Sequence, residues 1–366
     1  MSDDLSKLVA EAVGVEAAGW DLAGVIPRDL LRTLGAQGVL CAEVPAALGG
    51  RGLTSLRNGE LTAATGALCS SLRSVMTSQG MAAWTIQRFG TREQRAEYLA
   101  RLTGGELAAV AFSEPQAGSD LAALGTRIRP DGDSVVVDGH KVWSTAAAYA
   151  DHLVVFGRFG DGAAAVLVPA TTPGVRVEKV ADPLGCRAAG HAGLVLEGVR
   201  LPAANVLSGT SQPLGLLTTI ALSYGRMSVA WGCVGILRAC LRAAAAHAKS
   251  REQFGKPLGR HQLVARHLAE LLVAEQTATR VCEHASRCWD DRSAELTQAV
   301  VLAKHVAAGN AARGASVAVQ VLASAGSQDG HVVARAYRDA KLMEIIEGSN
   351  EISQLMLAER VLEGVA

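Results

Sequence analysis

Four long stretches with helical spacing of apolar residues fill the sequence from Pro213 to its end. They cover 213–249, 260–290, 293–325 and 331–361, and short loops join them. Long amphipathic helices with short connections predict an antiparallel four-helix bundle over residues 211–366. Residues 1–105 have similar periodicity, as in Leu30, Leu31 and Leu34 after Pro27, and predict an N-terminal helical domain.

Residues 106–210 have a different pattern, in which short apolar runs alternate with turn sequences. The runs expected to form strands are 107–112, 134–137, 153–158, 163–168 and 175–180. Asp131-Gly132 and Asp138-Gly139 are typical of hairpin turns. The sequence therefore predicts a compact antiparallel β-barrel at 106–210, so that the whole fold is mainly α with a central β-barrel.

Charge and composition argue against several classes of function. The 35 Lys and Arg balance the 35 Asp and Glu, so no overall basic field favours nucleic acid or an anionic membrane. Seven cysteines without a Cys-x-x-Cys pair argue against a disulfide framework or a structural zinc site, and histidine spacing indicates no metal. The N-terminus lacks an apolar signal core, and the apolar run 227–237 is too short to span a bilayer. We therefore expect a cytoplasmic protein in which 227–237 is a buried helix.

The stretch 337–352 predicts a helix that ends at Gly348, followed by a second helix with Ser349 as its N-cap. The inward side chains of the second helix should be four apolar residues, Ile352, Leu355, Met356 and Leu362. Glu347 then lies just before the break, beside an apolar patch. By spacing alone, a carboxylate there is either a solvated helix end, which is the commoner case, or a base held over a pocket.

This stretch resembles the Arg-Asp-Ala…Glu-Gly-Thr/Ser segment of the acyl-CoA dehydrogenase family. The resemblance implies that Glu347 removes the α-proton of an acyl thioester while a β-hydride passes to N5 of FAD. It also implies that the Glu347 backbone N–H and a flavin hydroxyl stabilise the enolate oxygen. Some members place the base on an earlier helix, but the matching residue here is Gly225, which cannot serve.

Two segments of the middle region resemble the flavin-binding motifs of the same family. In the segment Phe112-Ser113-Glu114-Pro115, continuing to Ser119, the resemblance implies that Phe112 and Ser113 hold the flavin pyrimidine edge. Ser119 would touch substrate or flavin phosphate. In Lys141-Val142-Trp143-Ser144-Thr145, Trp143 would lie against the isoalloxazine and Thr145 would bond near N5. Without the resemblance, these segments are an ordinary strand end and a core tryptophan.

The segment from Arg251 to Leu258 resembles the family's Arg-x-x-Phe-Gly motif, whose residues bind the flavin of a neighbouring subunit. It implies that Arg251 contacts the FAD diphosphate and Phe254 the adenine, in a homodimer or homotetramer. On sequence alone, an arginine in such a loop is more often solvated. The other positions that match cofactor-binding residues of the family are Gln320, Ser349 and Glu351.

The substrate is constrained by two positions of the first bundle helix. Arg226 matches an arginine near the pantetheine channel, and Ser223 replaces an acidic residue that often contacts the pantetheine of CoA. This departure fits a carrier-protein thioester better than free CoA. Over its whole length the chain resembles the branch of the family that oxidises short hydroxylated acyl groups on acyl carrier proteins to make polyketide extender units. The resemblance also implies an electron acceptor, such as an electron-transfer flavoprotein, that reoxidises the flavin.

Three alternatives remain open at the level of sequence. A short-chain acyl-CoA dehydrogenase of primary metabolism would use the same chemistry on CoA thioesters. A flavin monooxygenase or oxidase on the same fold would typically lack the base, which argues against it because Glu347 is present. A helical scaffold with a vestigial site would hold no flavin.

Overall fold

A computed structural model describes residues 2–207, 209–362 and 364 of the chain, without the side chains of residues 2 and 3. The N-terminal part is helical, as predicted. Its helices are α1 (Ser2–Val13), α2 (Ala17–Ala23), α3 (Arg28–Ala36), α4 (Ser55–Leu68), α5 (Ser70–Phe89) and α6 (Arg92–Thr103). Helix α5 is buried on almost every side, and it touches both the sheet and the C-terminal helices. It is therefore the element that connects the three parts of the chain.

The middle part is a curled sheet rather than a closed antiparallel barrel. Its strands are β1 (Ala108–Ala111), β2 (Arg127–Asp131), β3 (Ser134–Ser144), β4 (His152–Phe159), β5 (Gly162–Pro169), β6 (Val175–Lys179) and β7 (Ala192–Pro202). The strand order is β1-β4-β2-β3-β7-β6, with β5 also paired to β4. The pair β1–β4 is parallel, as is the single pairing of β2 with β4, so the prediction of a purely antiparallel barrel is wrong in detail.

One of the two predicted hairpin turns is confirmed and the other is wrong. Asp131-Gly132 joins β2 to β3, with Gly132 at φ 61°. Asp138-Gly139 lies inside β3, where the pairing with β7 shifts register. A Cβ at Gly139 would lie 2.2 Å from Oγ1 of Thr126. The glycine is therefore required by a close approach within the sheet, which is the other common reason for glycine in a strand.

The C-terminal part contains α7 (Leu214–Ser250), α8 (Gln262–Asp290), α9 (Leu296–Leu322), α10 (Val332–Met343) and α11 (Asn350–Leu362). A short hairpin lies between α7 and α8. Its two strands, β8 (Glu252–Gln253) and β9 (Lys256–Pro257), have two residues each. By length and composition α7 could cross a membrane, but 67% of its most apolar window is buried inside the protein, as expected of a core helix. All seven cysteines are buried and free.

The fourth predicted bundle segment, 331–361, consists of two helices, and the first of them ends earlier than the predicted break at Gly348. Helix α10 ends at Met343, and residues 344–347 form a turn rather than a last helical turn. Ser349 is the N-cap of α11, since its Oγ accepts from the Ile352 N–H at 3.4 Å. The predicted inward face of α11 is partly wrong, because Leu355 and Leu362 are 61% and 85% exposed.

Candidate active site

Glu347 lies in the turn between α10 and α11, with a left-handed backbone. Its φ is +57° and that of Gly348 is +89°. A left-handed conformation costs a residue with a Cβ roughly 1–2 kcal/mol, and such strain is concentrated at functional sites. The Glu347 N–H forms no backbone hydrogen bond within the described part of the chain. A donor that could bind a ligand oxygen thus adjoins the carboxylate.

The Glu347 carboxylate is packed against the backbone of α7 at Gly225. Its Oε2 is buried and has no hydrogen-bond partner among the described residues. A Cβ at Gly225 would lie 2.2 Å from this Oε2 and 2.3 Å from Cε of Met81, so a larger residue here would displace the Glu347 carboxylate and the end of the Met81 side chain. Burial raises the pKa of Glu347 to about 7, against the opposing charges of Arg226, Lys304 and Arg73. A carboxylate with such a pKa can accept and return a proton near neutral pH.

Two buried cations hold the backbone of this turn. Nε of Arg226, on α7, donates to the Glu347 carbonyl oxygen at 3.0 Å. Nζ of Lys304, on α9, donates to the Gly348 carbonyl oxygen at 2.7 Å. Burial lowers the pKa of Lys304 to about 8. The two cations therefore fix the turn from two different helices and lie near the carboxylate without bonding to it.

The residues expected to face the flavin ring form a second group, at the end of β3. Trp143 has φ +55° and is 56% exposed, so it is not the core tryptophan that its strand position alone would indicate. Its ring meets His191 edge to face, with ring centroids 6.0 Å apart. Oγ1 of Thr145 lies 3.3 Å from Nδ1 of His191. Nε2 of His191 and Oγ of Ser144 are buried without partners in the described structure.

A buried ion pair joins the two middle-domain motifs. Nζ of Lys141 lies 2.7 Å from Oε1 of Glu114 and also donates to the Phe112 carbonyl oxygen at 3.0 Å. Burial acts to raise the pKa of Glu114, but hydrogen bonds from Lys141 and Thr126 outweigh it and lower that pKa to about 2. The Val142 N–H donates to the Ser113 carbonyl oxygen at 2.8 Å. The pair thus fixes the position of one motif relative to the other.

Helix α5 brings the Glu347 group and the Thr145 group to the same place. Oγ of Ser78 donates to the Thr145 carbonyl oxygen at 2.8 Å. Met81, three residues later and on the same face of the helix, packs beside Gly225 and the Glu347 carboxylate. The two groups therefore contact residues of α5 that are about one helical turn apart, at the seam between the sheet and the C-terminal helices.

The residues expected to bind a neighbouring subunit's cofactor lie at the other end of the bundle. Phe254, at the tip of the β8–β9 hairpin, has φ +53° and is 94% exposed. Arg251 and Gln320 are also exposed. Within its own chain the Phe254 ring meets His261 edge to face, with ring centroids 6.1 Å apart, and it remains largely open to solvent. This position is therefore suited to contact with another molecule.

The remaining predicted site residues have separate places. Phe112 is half-buried and stacks on Phe156, with ring centroids 4.0 Å apart. Ser119 and Glu351 are exposed, while Ser223 is buried and its Oγ donates to the Thr219 carbonyl oxygen at 2.7 Å within α7. None of these three is brought to the Glu347 carboxylate by a hydrogen bond in the described structure.

The residues at the seam fit a flavin. A flavin ring presents hydrogen-bonding edges and an extended flat face, and here two unpartnered polar atoms, on Ser144 and His191, lie next to an exposed indole. Unpartnered buried polar atoms are rare in native proteins, and a bound ligand is one way to satisfy them. The third such atom at the seam belongs to Glu347.

Comparison with known proteins shows the family of the chain. Models of the acyl-CoA dehydrogenase N-terminal, middle and C-terminal domains match residues 1–106, 109–199 and 216–362. The chain belongs to the acyl-CoA dehydrogenase family. It is accordingly an FAD-dependent dehydrogenase of a family whose substrates are acyl thioesters.

Three proteins illustrate the similarity. The probable acyl-CoA dehydrogenase YngJ of Bacillus subtilis (strain 168) is 33% identical, over 94% of this chain and 92% of its own. A solved structure described as FkbI for biosynthesis of the methoxymalonyl extender unit of the polyketide Fk520 is 64% identical, with a TM-score of 0.94 over 98% of this chain and 99% of that one. A glutaryl-CoA dehydrogenase from Mycobacterium smegmatis in complex with FADH2 is 27% identical, with a TM-score of 0.93 over 100% and 95% of the two chains.

Several residues that shape the site gave no sequence signal of their own. Lys304, His191 and Arg73 stand in ordinary helical or loop contexts, and their surroundings arise only from distant elements. The Glu114–Lys141 pair could have been suspected, because the two charged residues occur in the two motifs that must meet. The partners of the others cannot be read from local sequence.

Proposed function

We propose that this enzyme oxidises a short hydroxylated acyl group, carried as a thioester on an acyl carrier protein, in the biosynthesis of a polyketide extender unit. The observation on which the proposal depends most is the unpartnered Glu347 carboxylate over Gly225, in the seam beside Trp143 and Thr145. The 64% identity with FkbI, over nearly the full length of both chains, supports a role in making a polyketide extender unit. The proposed setting is cytoplasmic.

The proposed chemistry assigns proton and oxyanion roles to one turn. Glu347 removes the proton from the α-carbon and keeps it on its carboxylate, while the Glu347 N–H donates to the thioester oxygen as negative charge develops there. When bound, FAD supplies the acceptor for the hydride that leaves the β-carbon. Arg226 and Lys304 keep the turn, and hence both groups, in position. Trp143 would cover one face of the flavin ring and Thr145 would orient it. Arg226 and Ser223 would lie near the pantetheine tether of the substrate. The further proposed cofactor contacts are Phe112, Ser113, Ser119, Gln320, Ser349 and Glu351.

The carrier tether is distinguished from CoA by a direct comparison of substrates. The same hydroxylated acyl group, such as glyceryl, is loaded on a carrier protein and on CoA, and bleaching of the flavin is followed by stopped flow. We expect the carrier thioester to reduce the flavin at least about tenfold more efficiently, because both substrates present the same pantetheine arm and only the carrier adds protein–protein contacts to it. The carrier with an unacylated pantetheine is the control.

Faster reduction by the CoA thioester would instead favour a short-chain acyl-CoA dehydrogenase of primary metabolism. Several curated relatives are named short-chain specific acyl-CoA dehydrogenases. Reduced flavin that is reoxidised rapidly by O2 would favour an oxidase. In the proposed reaction an electron-transfer flavoprotein or a similar acceptor reoxidises the flavin.

The exposed hairpin tip predicts a cofactor site shared between subunits. Replacing Arg251 with Ala, or Phe254 with Ser, should lower the flavin content of the purified protein several-fold, because a diphosphate and an adenine would lose their contacts. Flavin content is measured by absorbance and subunit mass by light scattering. Arg266→Ala, on the exposed face of α8, is the control. Full flavin retention in both hairpin variants, or a monomeric wild type, contradicts the shared site.

A further inference from the structure

A histidine, a cysteine and a glutamate come together where α8 ends and α9 begins. His284 and Cys288 are four residues apart near the end of α8, so their side chains share one face of the helix. Glu295 is the residue before α9. One ring nitrogen of His284, the Sγ of Cys288 and one carboxylate oxygen of Glu295 all lie within 4.8 Å of one another. The three donor atoms therefore form a small triangle that is built from two elements.

The triangle has nearly the size that a tetrahedral zinc site requires. With Zn–S of about 2.3 Å and Zn–N of about 2.0–2.1 Å, tetrahedral angles place the sulfur and the nitrogen about 3.6 Å apart. Nε2 of His284 lies 3.7 Å from Sγ of Cys288. A thiol–imidazole hydrogen bond also explains this distance, but it does not explain why a glutamate converges on the pair.

The Glu295 carboxylate is free to complete the set. It has no hydrogen-bond or ion-pair partner in the described part of the chain, where the Glu295 N–H is bonded to Oγ of Ser293 at 3.1 Å. Its side chain is exposed, so a rotation about its own bonds can bring an oxygen from within 4.8 Å to the shorter separation of a coordinated ligand. No backbone movement is needed.

The surroundings of the three donors define the kind of site. Cys288 is 6% exposed and belongs to the core, whereas His284 and Glu295 are exposed. An ion here would be bound by sulfur from the protein interior and by nitrogen and oxygen from the solvent side. The fourth coordination position would then face solvent and hold a water molecule. As the S–Zn bond forms, the S–H bond of Cys288 breaks and its proton passes to solvent.

The end of α8 is a junction with three other helices. Oδ1 of Asp290 accepts from the N–H of Ser55, the first residue of α4, at 2.7 Å. Trp289 packs against Trp84 of α5, with ring centroids 4.7 Å apart, and meets Tyr224 of α7 edge to face at 6.2 Å. An ion that fixes the last turns of α8 would therefore stabilise the contacts of α8 with α4, α5 and α7.

We propose that His284, Cys288 and Glu295 bind a Zn²⁺ ion that fastens the end of α8 to the start of α9. The mixed sulfur, nitrogen and oxygen donors suit this borderline-soft ion, whereas Mg²⁺ and Ca²⁺ prefer oxygen ligands. Histidine spacing gives no sign of the set, because it has one residue of each type on two elements. The inference departs from the expectation of no metal, and it does not depend on the proposed substrate.

The first test is metal binding by the FAD-loaded wild type after its metals are removed with a chelator. Zn²⁺ is titrated by calorimetry, and we expect one ion per chain. Saturating Zn²⁺ should raise the melting temperature by at least about 2 °C, since it binds the folded state only. Co²⁺ in place of Zn²⁺ should give the ligand-field bands of a tetrahedral site, to the red of flavin absorption, and a sulfur-to-cobalt charge-transfer band in the difference spectrum.

Variants of the three ligands test the assignment. His284→Gln and Glu295→Gln change exposed side chains, and each should weaken Zn²⁺ binding at least about tenfold. Cys288→Ser should also remove the charge-transfer band. His267→Gln is the matched control, because His267 pairs with Glu270 on the same helix without a cysteine nearby in sequence, and it should bind Zn²⁺ as wild type does.

Four results would overturn the inference. They are wild type that binds neither Zn²⁺ nor Co²⁺, binding that survives both His284→Gln and Glu295→Gln, binding that is lost in His267→Gln, and bound Zn²⁺ that leaves the melting temperature unchanged. If Cys288→Ser does not fold, the two variants at exposed positions still decide.

Discussion

Glu347→Gln should keep its yellow cofactor and lose about 10²–10⁴-fold in the rate at which an acyl thioester reduces the flavin. Glutamine has nearly the same shape and can occupy the space over Gly225, but it cannot accept the α-proton. Stopped-flow bleaching measures the rate, and absorbance measures flavin content. Glu344→Gln, in the same turn but bonded to Lys341, is the matched control and should bleach normally. Unchanged reduction by the Glu347→Gln protein would remove Glu347 as the base.

The pH dependence of flavin reduction and of stability, measured on wild type and Glu347→Gln, tests whether the Glu347 carboxylate is the group that accepts the proton. Because Glu347 must be ionised to act, wild-type reduction should rise as pH increases through about 7, which is its pKa in the folded protein. That pKa is raised, so Glu347 contributes most to stability below its unfolded-state pKa, and this contribution is lost as pH rises through about 7. The melting temperature of the Glu347→Gln variant should therefore gain on that of wild type between pH 5 and pH 8. A constant difference contradicts the burial assigned to Glu347.

The turn that contains Glu347 shows what the local sequence can and cannot predict. Gly348 marks the break between two helices, and Ser349 is the N-cap that its residue type favours. That α10 ends a turn early and that Glu347 is left-handed depends on Arg226 and Lys304, which bind the turn's carbonyl oxygens from two other helices. Such long-range constraints override helical spacing, and no pattern within 337–352 contains them.

The sequence predicts the sheet only in part, because two strands have weak local signals and the strand pairing depends on contacts between distant segments. β7 is interrupted by Gly193 and Gly198, and β2 is a five-residue strand in which Ile128 is the one buried side chain, so neither gives a strong strand signal in the sequence. The five predicted strands are all present, because each has a continuous apolar run or a clear alternation. The parallel pairing of β1 with β4 joins segments some 40 residues apart, and no turn chemistry reports it.

Lys141→Met should destabilise the protein by about 3–5 kcal/mol, the largest stability effect expected here. The substitution leaves Glu114 buried beside the flavin motifs without its cation, and breaking a buried pair from one side costs far more than the pair itself contributes. Urea unfolding followed by circular dichroism measures the loss. The double variant Glu114→Gln, Lys141→Met removes both charges and should recover much of it, whereas Arg176→Met, which breaks an exposed pair with Glu197, should leave stability nearly unchanged. If Lys141→Met behaves like Arg176→Met, the buried pair does not hold the two motifs together.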